Sequence, residues 1–317
     1  MDAPPRAWVL NLDAEHELEA RGSYAPTERL RAIVARQSAR LVGPLVSPHD
    51  VVLTEAGLRA DPELAERAHG LEGRAWSPTP RALALLARAR AQVPDAPGVL
   101  VLRVVNARPF AALVRAPLVA GSFAKHVAPD RESVLALVAR PAPLGWLVRR
   151  TFGAAGRGRR RLASGRPTVA ELAWLDASLR LGPLVVEPFV EVVREHTRSG
   201  WVGRDGSVHL SRPLFQSVDA RGAWTGSACA SLADLARADD ARLEAACAAA
   251  GAALAGAGYF GPFGIDAFHH RALVGAGVVL NPLSEINARF TMDWSAAMAA
   301  DPRGSAASRI ERLTVGG

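Results

Sequence analysis

From residue 285 to residue 290 the chain alternates polar and apolar side chains without a break: Glu285, Ile286, Asn287, Ala288, Arg289, Phe290. Successive side chains point to opposite faces of a β-strand, so an extended segment here puts acid, amide and base on one face. An otherwise apolar segment does not carry such groups unless partners satisfy them, because unpaired polar groups are costly to bury. A neighbouring strand candidate, Phe263 to His269, carries Asp266. Asp266, Glu285 and Asn287 offer hard oxygen donors suited to Mg²⁺, a set that substrate phosphates and water usually complete. The structural alternative is a buried salt-bridge network of Asp266, Glu285 and Arg289.

The 317 residues allow two domains or one large α/β domain, and 49% hydrophobic content provides a sizeable core. Apolar runs such as Leu181 to Val193 are interrupted by Gly, Pro and Glu and are not membrane spans. The start, Met1-Asp2-Ala3-Pro4-Pro5, is acidic and Pro-rich, unlike a secretory signal. Cys229 and Cys247 are the only cysteines, which makes no disulfide framework and points to a reducing cytoplasm. Of 38 basic residues only Lys125 is lysine, leaving 37 arginines and a net charge of +7. The arginines are spread along the chain, with one cluster at Arg157 to Arg161, and are not interleaved with aromatics as on a nucleic-acid face. Nucleic acid is therefore not the expected partner.

The first half reads as alternating strands and helices, which favours a mostly parallel sheet. Strands are expected at Arg6 to Leu12, Asp50 to Leu53, Gly98 to Val105 and Ser122 to Ala128. Gly98 to Val105 is a continuous β-branched run ending at Asn106-Ala107-Arg108, as in a strand buried on both faces. Helices are expected at Thr27 to Ala39, capped by Thr27, at Ser77 to Ala91, and at Asp130 to Ala139, capped by Asp130. Pro141 to Gly145 breaks the chain, giving an expected division into domains at 1–144 and 145–317.

Beyond the break, a strand at Trp146 to Arg150 runs into a glycine-rich turn with Gly153, Gly156 and Gly158. Glycines let backbone N–H groups approach phosphate oxygens, and Arg149 would neutralise their charge. The motif lacks the Gly-Lys-Ser/Thr of a Walker A loop. A helix at Thr168 to Leu179 and a strand at Leu184 to Val186 follow. Glu187-Pro188-Phe189-Val190 then leaves the sheet, with Glu195 eight residues beyond Glu187. Such a segment can serve an adenine edge and ribose hydroxyls, or be a solvated Glu pair. Arg204-Asp205-Gly206 is a hairpin signal, and a long helix is expected from Asp239 to Ala257. The last strands are Phe263 to His269 and Val278 to Leu280 extending towards Ile286.

In this order, the basic strand with its glycine flap, the acidic hinge and the Asp…Glu-x-Asn-x-Arg set resemble the ATP-grasp superfamily over about residues 146 to 295. The preceding half resembles, more loosely, the parallel-sheet α/β domain that comes before the grasp. The resemblance implies two α+β lobes gripping ATP, and a ligase that activates a small-molecule or peptide carboxylate as an acyl phosphate for attack by an amine. It implies that Arg149 contacts phosphate where the family commonly has lysine, and that Gly153, Gly156 and Gly158 form the flap. Glu187 through Val190 would be the adenine hinge and Glu195 the ribose ligand. Asp266, Glu285 and Asn287 would hold Mg²⁺ or Mn²⁺, and Arg289 would stabilise the transferring phosphoryl group or the acyl phosphate. Ala288 stands where Pro is frequent, and Lys125 is a candidate second cation for ATP. The alternative is a non-catalytic ATP-binding protein of the same fold.

Overall fold

A computed structural model describes residues 4–20, 23–119, 123–153, 158–218, 224–229 and 235–299. The N-terminal layer runs β1 (Arg6–Val9), α1 (Ala14–Glu19), α2 (Glu28–Ser38), β2 (Val51–Val52), α3 (Glu55–Ala60), α4 (Glu63–Ala68), β3 (Glu72–Ala75) and α5 (Pro80–Arg88). Its three strands are parallel, in the order β2-β1-β3. Ala7, Val9, Leu53, Ala75, Leu85 and Leu86 form its core. Thr27 caps α2 by accepting a hydrogen bond from the Leu30 N–H, as the sequence suggests.

Two expectations change here. Gly98 to Val105 is not a strand: α6 (Val99–Val105) is a helix, followed by α7 (Arg108–Arg115) and a short 3₁₀ turn at Ala116–Leu118. Leu102 and Val105 are buried, whereas Leu100 is 71% and Val104 54% exposed. Burial at i and i+3 is a helical pattern, and an apolar run this short does not by itself discriminate helix from strand. The third strand of the parallel sheet is instead β3, whose Glu72-Gly73-Arg74-Ala75 gives little hydrophobic signal. Its Glu72 pairs with Arg6 and Arg74.

The second layer holds β4 (His126–Ala128), α8 (Arg131–Val138), β5 (Trp146–Arg149), β6 (Arg159–Leu162), α9 (Val169–Leu179) and β7 (Leu184–Pro188). Its antiparallel sheet has the order β4-β7-β5-β6. Val134, Val138, Leu175, Trp146, Val148 and Val186 pack between the helices and the sheet. Pro141 to Gly145 connects α8 to β5 within this layer. Gly145 sits at φ 80°, and a Cβ there would collide with the Leu162 carbonyl oxygen.

The third layer comprises β8 (Val192–Val202), β9 (Val208–Val218), β10 (Trp224–Cys229), α10 (Arg237–Gly256), β11 (Gly261–Arg271), β12 (Val278–Asn287) and α11 (Trp294–Ala299). The antiparallel sheet has the order β10-β9-β8-β11-β12, and α10 packs against it. Leu102, Val105 and Ala111 from α6 and α7 join the same core as Leu254, Phe263, Ile265 and Ile286. Among the described residues, no helix is long and apolar enough to cross a membrane.

Candidate active site between the two antiparallel sheets

A cavity of about 1050 Å³ is lined by both antiparallel sheets and by the N-terminal layer. Arg149, Gly153, Glu187, Val190, Glu195, Asp266, Glu285, Asn287 and Arg289 all line it. Gly158 does not, although its neighbour Arg159 does, and Gly156 lies outside the described residues.

Strand alternation sorts the two arginines at the end of β5. Arg149 is buried towards the cavity, whereas Arg150 donates to Ser178 Oγ at 2.9 Å and lies over Trp174. The Arg149 fork bridges two carboxylates: Nη2 lies 2.6 Å from Glu187 Oε1 and Nη1 2.7 Å from Glu285 Oε1. Burial opposes the Arg149 charge, but Glu187 and Glu285 outweigh it and hold the guanidinium above its ordinary pKa. Arg149 thus joins the two sheets through Glu285 of β12.

Glu187 faces inward rather than out at the hinge. Its other partner is Lys125, with Nζ 3.4 Å from Oε2, and Lys125 also donates to the Ser284 carbonyl at 2.5 Å. Burial pushes the Lys125 ammonium down to about 7, and nearby Arg149 adds to the effect. Lys125 does not line the cavity but sits behind it. The backbone of the hinge is differently placed. Val190 is 7% exposed and lines the cavity, and no described residue hydrogen-bonds its N–H or C=O.

Asp266 of β11 and Glu285 of β12 are cross-strand neighbours in the ladder. Burial and the Glu285 charge raise the Asp266 carboxyl to about 7. Glu285 moves the other way: burial would raise it, but Arg108 and Arg149 hold it at about 2. Asn287 Nδ2 donates to Asp266 Oδ2 at 3.0 Å, and Arg289 Nη2 donates to Asn287 Oδ1 at 3.0 Å. Among the described residues no three His, Cys, Asp or Glu side chains form a metal cluster, so this set has two carboxylates and one amide. Glu195 lies on β8 opposite Phe268, and burial raises its carboxyl above the usual range.

The expected alternative network of Asp266, Glu285 and Arg289 forms with different partners. Arg289 lies just past β12 and donates to Glu15 Oε1 at 2.7 Å, with its guanidinium 5.2 Å from the Trp76 ring. Glu285 is held by Arg149 and by Arg108, whose Nε donates to Oε1 at 2.9 Å. Arg108 also donates to the carbonyls of Arg150 at 3.0 Å and Gly153 at 2.7 Å, so it ties the flap base to the acidic strand. Arg150 N–H donates to the Gly158 carbonyl at 2.8 Å, closing the hairpin at its other side. Gly158 adopts φ 68°, a left-handed conformation natural to glycine. Sequence reasoning missed Arg108, Glu15 and Trp76; each reaches the site from a distant segment without a local pattern.

No protein-family model and no curated protein matches the sequence. Solved structures do match. Biotin carboxylase from Campylobacter jejuni, in complex with β,γ-ATP, superposes with a TM-score of 0.60 at 14% identity, covering 98% of this chain and 71% of that one. These enzymes share the ATP-grasp fold. This chain has the ATP-grasp fold. The biotin carboxylase domain of the Hydrogenobacter thermophilus 2-oxoglutarate carboxylase, solved with MgADP and bicarbonate, gives a TM-score of 0.53 at 13% identity, covering 93% and 69%. N5-carboxyaminoimidazole synthetase from Staphylococcus aureus, complexed with ADP, gives 0.50 at 10%, covering 92% and 72%. In this ATP-grasp fold the four-stranded and five-stranded sheets are the two lobes that line the cavity, and the parallel-sheet layer precedes them.

Proposed function

We propose that the chain is an ATP- and Mg²⁺-dependent ligase that activates a carboxylate as an acyl phosphate for attack by an amine. The observation that carries this reading is the bridge from Arg149 to Glu285 across the two lobes, beside Asp266 and in one cavity with the unused Val190 backbone. A cation for phosphate, a carboxylate pair for metal and a donor–acceptor edge for a base are the three things a bound Mg–ATP requires.

In this reading the Val190 backbone takes the adenine edge, and Glu187 positions Arg149 from behind. Glu195 receives the ribose, while Gly153 and Gly158 shape the flap with Gly156. The donor set fits a divalent ion. Asp266 and Glu285 face one another across the ladder, and a divalent ion held by these carboxylates would offset the burial and the Glu285 repulsion that together keep a proton on Asp266. With its amide turned over, Asn287 adds an oxygen, and Mn²⁺ would accept the same donors. Bound Mg²⁺ supplies charge neutralisation at the phosphoryl oxygens.

Arg149 and Arg289 then hold the γ-phosphate in line with the incoming acid. A carboxylate oxygen attacks the γ-phosphorus, the bond to the β,γ-bridging oxygen breaks, and ADP leaves. The amine nitrogen attacks the acyl carbon, phosphate departs, and the amine proton passes to a base. We place the start of the first lobe at β4, ahead of the division at residues 144 and 145, because β4 pairs with β7. The buried free thiol of Cys247 suits a reducing cytoplasm.

Hydroxylamine as the amine surrogate provides the test. Mg–ATP, a panel of carboxylic acids and hydroxylamine should yield hydroxamate and ADP in equal amounts. Nucleotide binding without ADP release for every acid would assign the chain to the non-catalytic alternative.

A further inference from the structure

The cavity has more room and a different lining than a nucleotide alone calls for. Its volume of about 1050 Å³ lies at the top of the roughly 300–1,000 Å³ range of small-molecule sites. It adjoins a second cavity of about 820 Å³, and both are lined by His16, Leu30 and Ile33 of the N-terminal layer. The second cavity extends past Tyr24 and Pro26 to Leu181.

The wall between them is α2. Leu30, Ile33 and Val34 fall at i, i+3 and i+4, one face of a helix, and such a stripe ordinarily packs on a core. Here it does not. No residue of α2 is buried, and Leu30, Ile33 and Val34 join none of the described core clusters. They line the cavity instead, together with Leu12, Trp76 and Met292. Arg289 borders this wall through its ion pair with Glu15 and its position over Trp76. An apolar wall beside a cation complements an acid with a hydrocarbon body. Burying that body would remove apolar surface of both partners from water.

Resting on the ligase reading, we propose that the activated substrate is a carboxylic acid with an extended apolar body, aliphatic or aromatic. Its carboxylate is held at Arg289, and its body lies along Leu30, Ile33 and Val34, with the second cavity giving room for length.

Calorimetric titration of the full chain, with Mg²⁺ and a non-hydrolysable ATP analogue present, tests this with acetate, butyrate, hexanoate, octanoate and the polar acid gluconate. Affinity should rise roughly threefold to fourfold per added methylene until the wall is filled, and octanoate should far exceed gluconate. Ile33→Asn and Val34→Asn should each flatten the series, whereas Ala35→Asn, on the exposed face of α2, should not. Melting curves establish that each variant is folded. A flat series in wild type, or a preference for gluconate, overturns the proposal. So does an Ile33→Asn variant that changes the oligomeric state and not the series, which would assign the stripe to self-association. Binding of the ATP analogue is read in a separate titration. If the analogue binds and the series is flat, only the apolar-body proposal falls; if it does not bind, the ligase reading falls and takes this proposal with it.

Discussion

The two antiparallel lobes line one cavity with opposite chemistry. The four-stranded lobe presents Arg149, Arg159 and Arg161, with its one inward acid, Glu187, engaged by Arg149 and Lys125. The five-stranded lobe presents Glu195, Asp266 and Glu285. Each face would be strongly charged alone, and the bridge from Arg149 to Glu285 lets the two neutralise one another. In the proposed function, a nucleotide with its metal would make the same match in a different way: phosphate would answer the basic lobe and the ion the acidic one. The site therefore belongs to neither sheet. Arg108, bonded to Glu285 and to the flap carbonyls of Arg150 and Gly153, joins the two faces independently of Arg149.

The largest effect should come from breaking the acidic side. Glu285→Gln keeps an acceptor for Arg108 and Arg149 but removes the charge, so hydroxamate formation should fall on the order of a hundredfold or more. The melting temperature should drop only modestly. Near-wild-type turnover would make Glu285 structural.

Breaking the basic side comes next. Arg149→Ala should cost about 2–4 kcal/mol in phosphoryl transfer, read as kcat/KM for ATP. Arg149→Lys should be intermediate, because one ammonium cannot replace a fork that reaches Glu187 and Glu285 through separate nitrogens. Arg150→Ala, on the α9 side, should be mild. A silent Arg149→Ala beside a damaging Arg150→Ala would reverse the assignment of the two faces.

A smaller effect sharpens the acidic side alone. Asp266 keeps its proton up to about 7 in the folded metal-free protein, against an ordinary value of 3.8. Between those values the folded state holds a proton that the unfolded state has lost, so this group's contribution to stability falls as pH rises from about 4 towards 7. Asp266→Asn should remove that decline in a series of chemical denaturations. Because the proton must leave for an ion to bind, Mg²⁺ affinity should increase as pH rises through about 7. A pH-independent affinity would place the ion elsewhere.

What was legible in the sequence follows the same division between local and distant signals. The alternation from Glu285, the Asp-Gly hairpin, the Thr27 cap and the helix at Thr168 to Leu179 are local, and the structure forms the elements they suggest, with β12 ending at Asn287, short of Arg289. Thr168 even completes a capping box with Glu171. The run at Gly98 to Val105 misled because its β-branched residues favour strands, while tertiary burial of Leu102 and Val105 selects a helix. The partners of Glu285 and Arg289 were not legible at all. Arg108 lies 177 positions from Glu285, and Glu15 lies 274 positions from Arg289, so only the fold brings them together.

Calorimetric titration of the wild-type chain with ATP, with and without Mg²⁺, tests most directly whether the two lobes share one ligand. The account predicts a single site whose affinity rises at least about tenfold with Mg²⁺, the gain disappearing in Glu285→Gln while weak ATP binding remains. Equal affinity with and without Mg²⁺, or no binding at millimolar ATP, would contradict it.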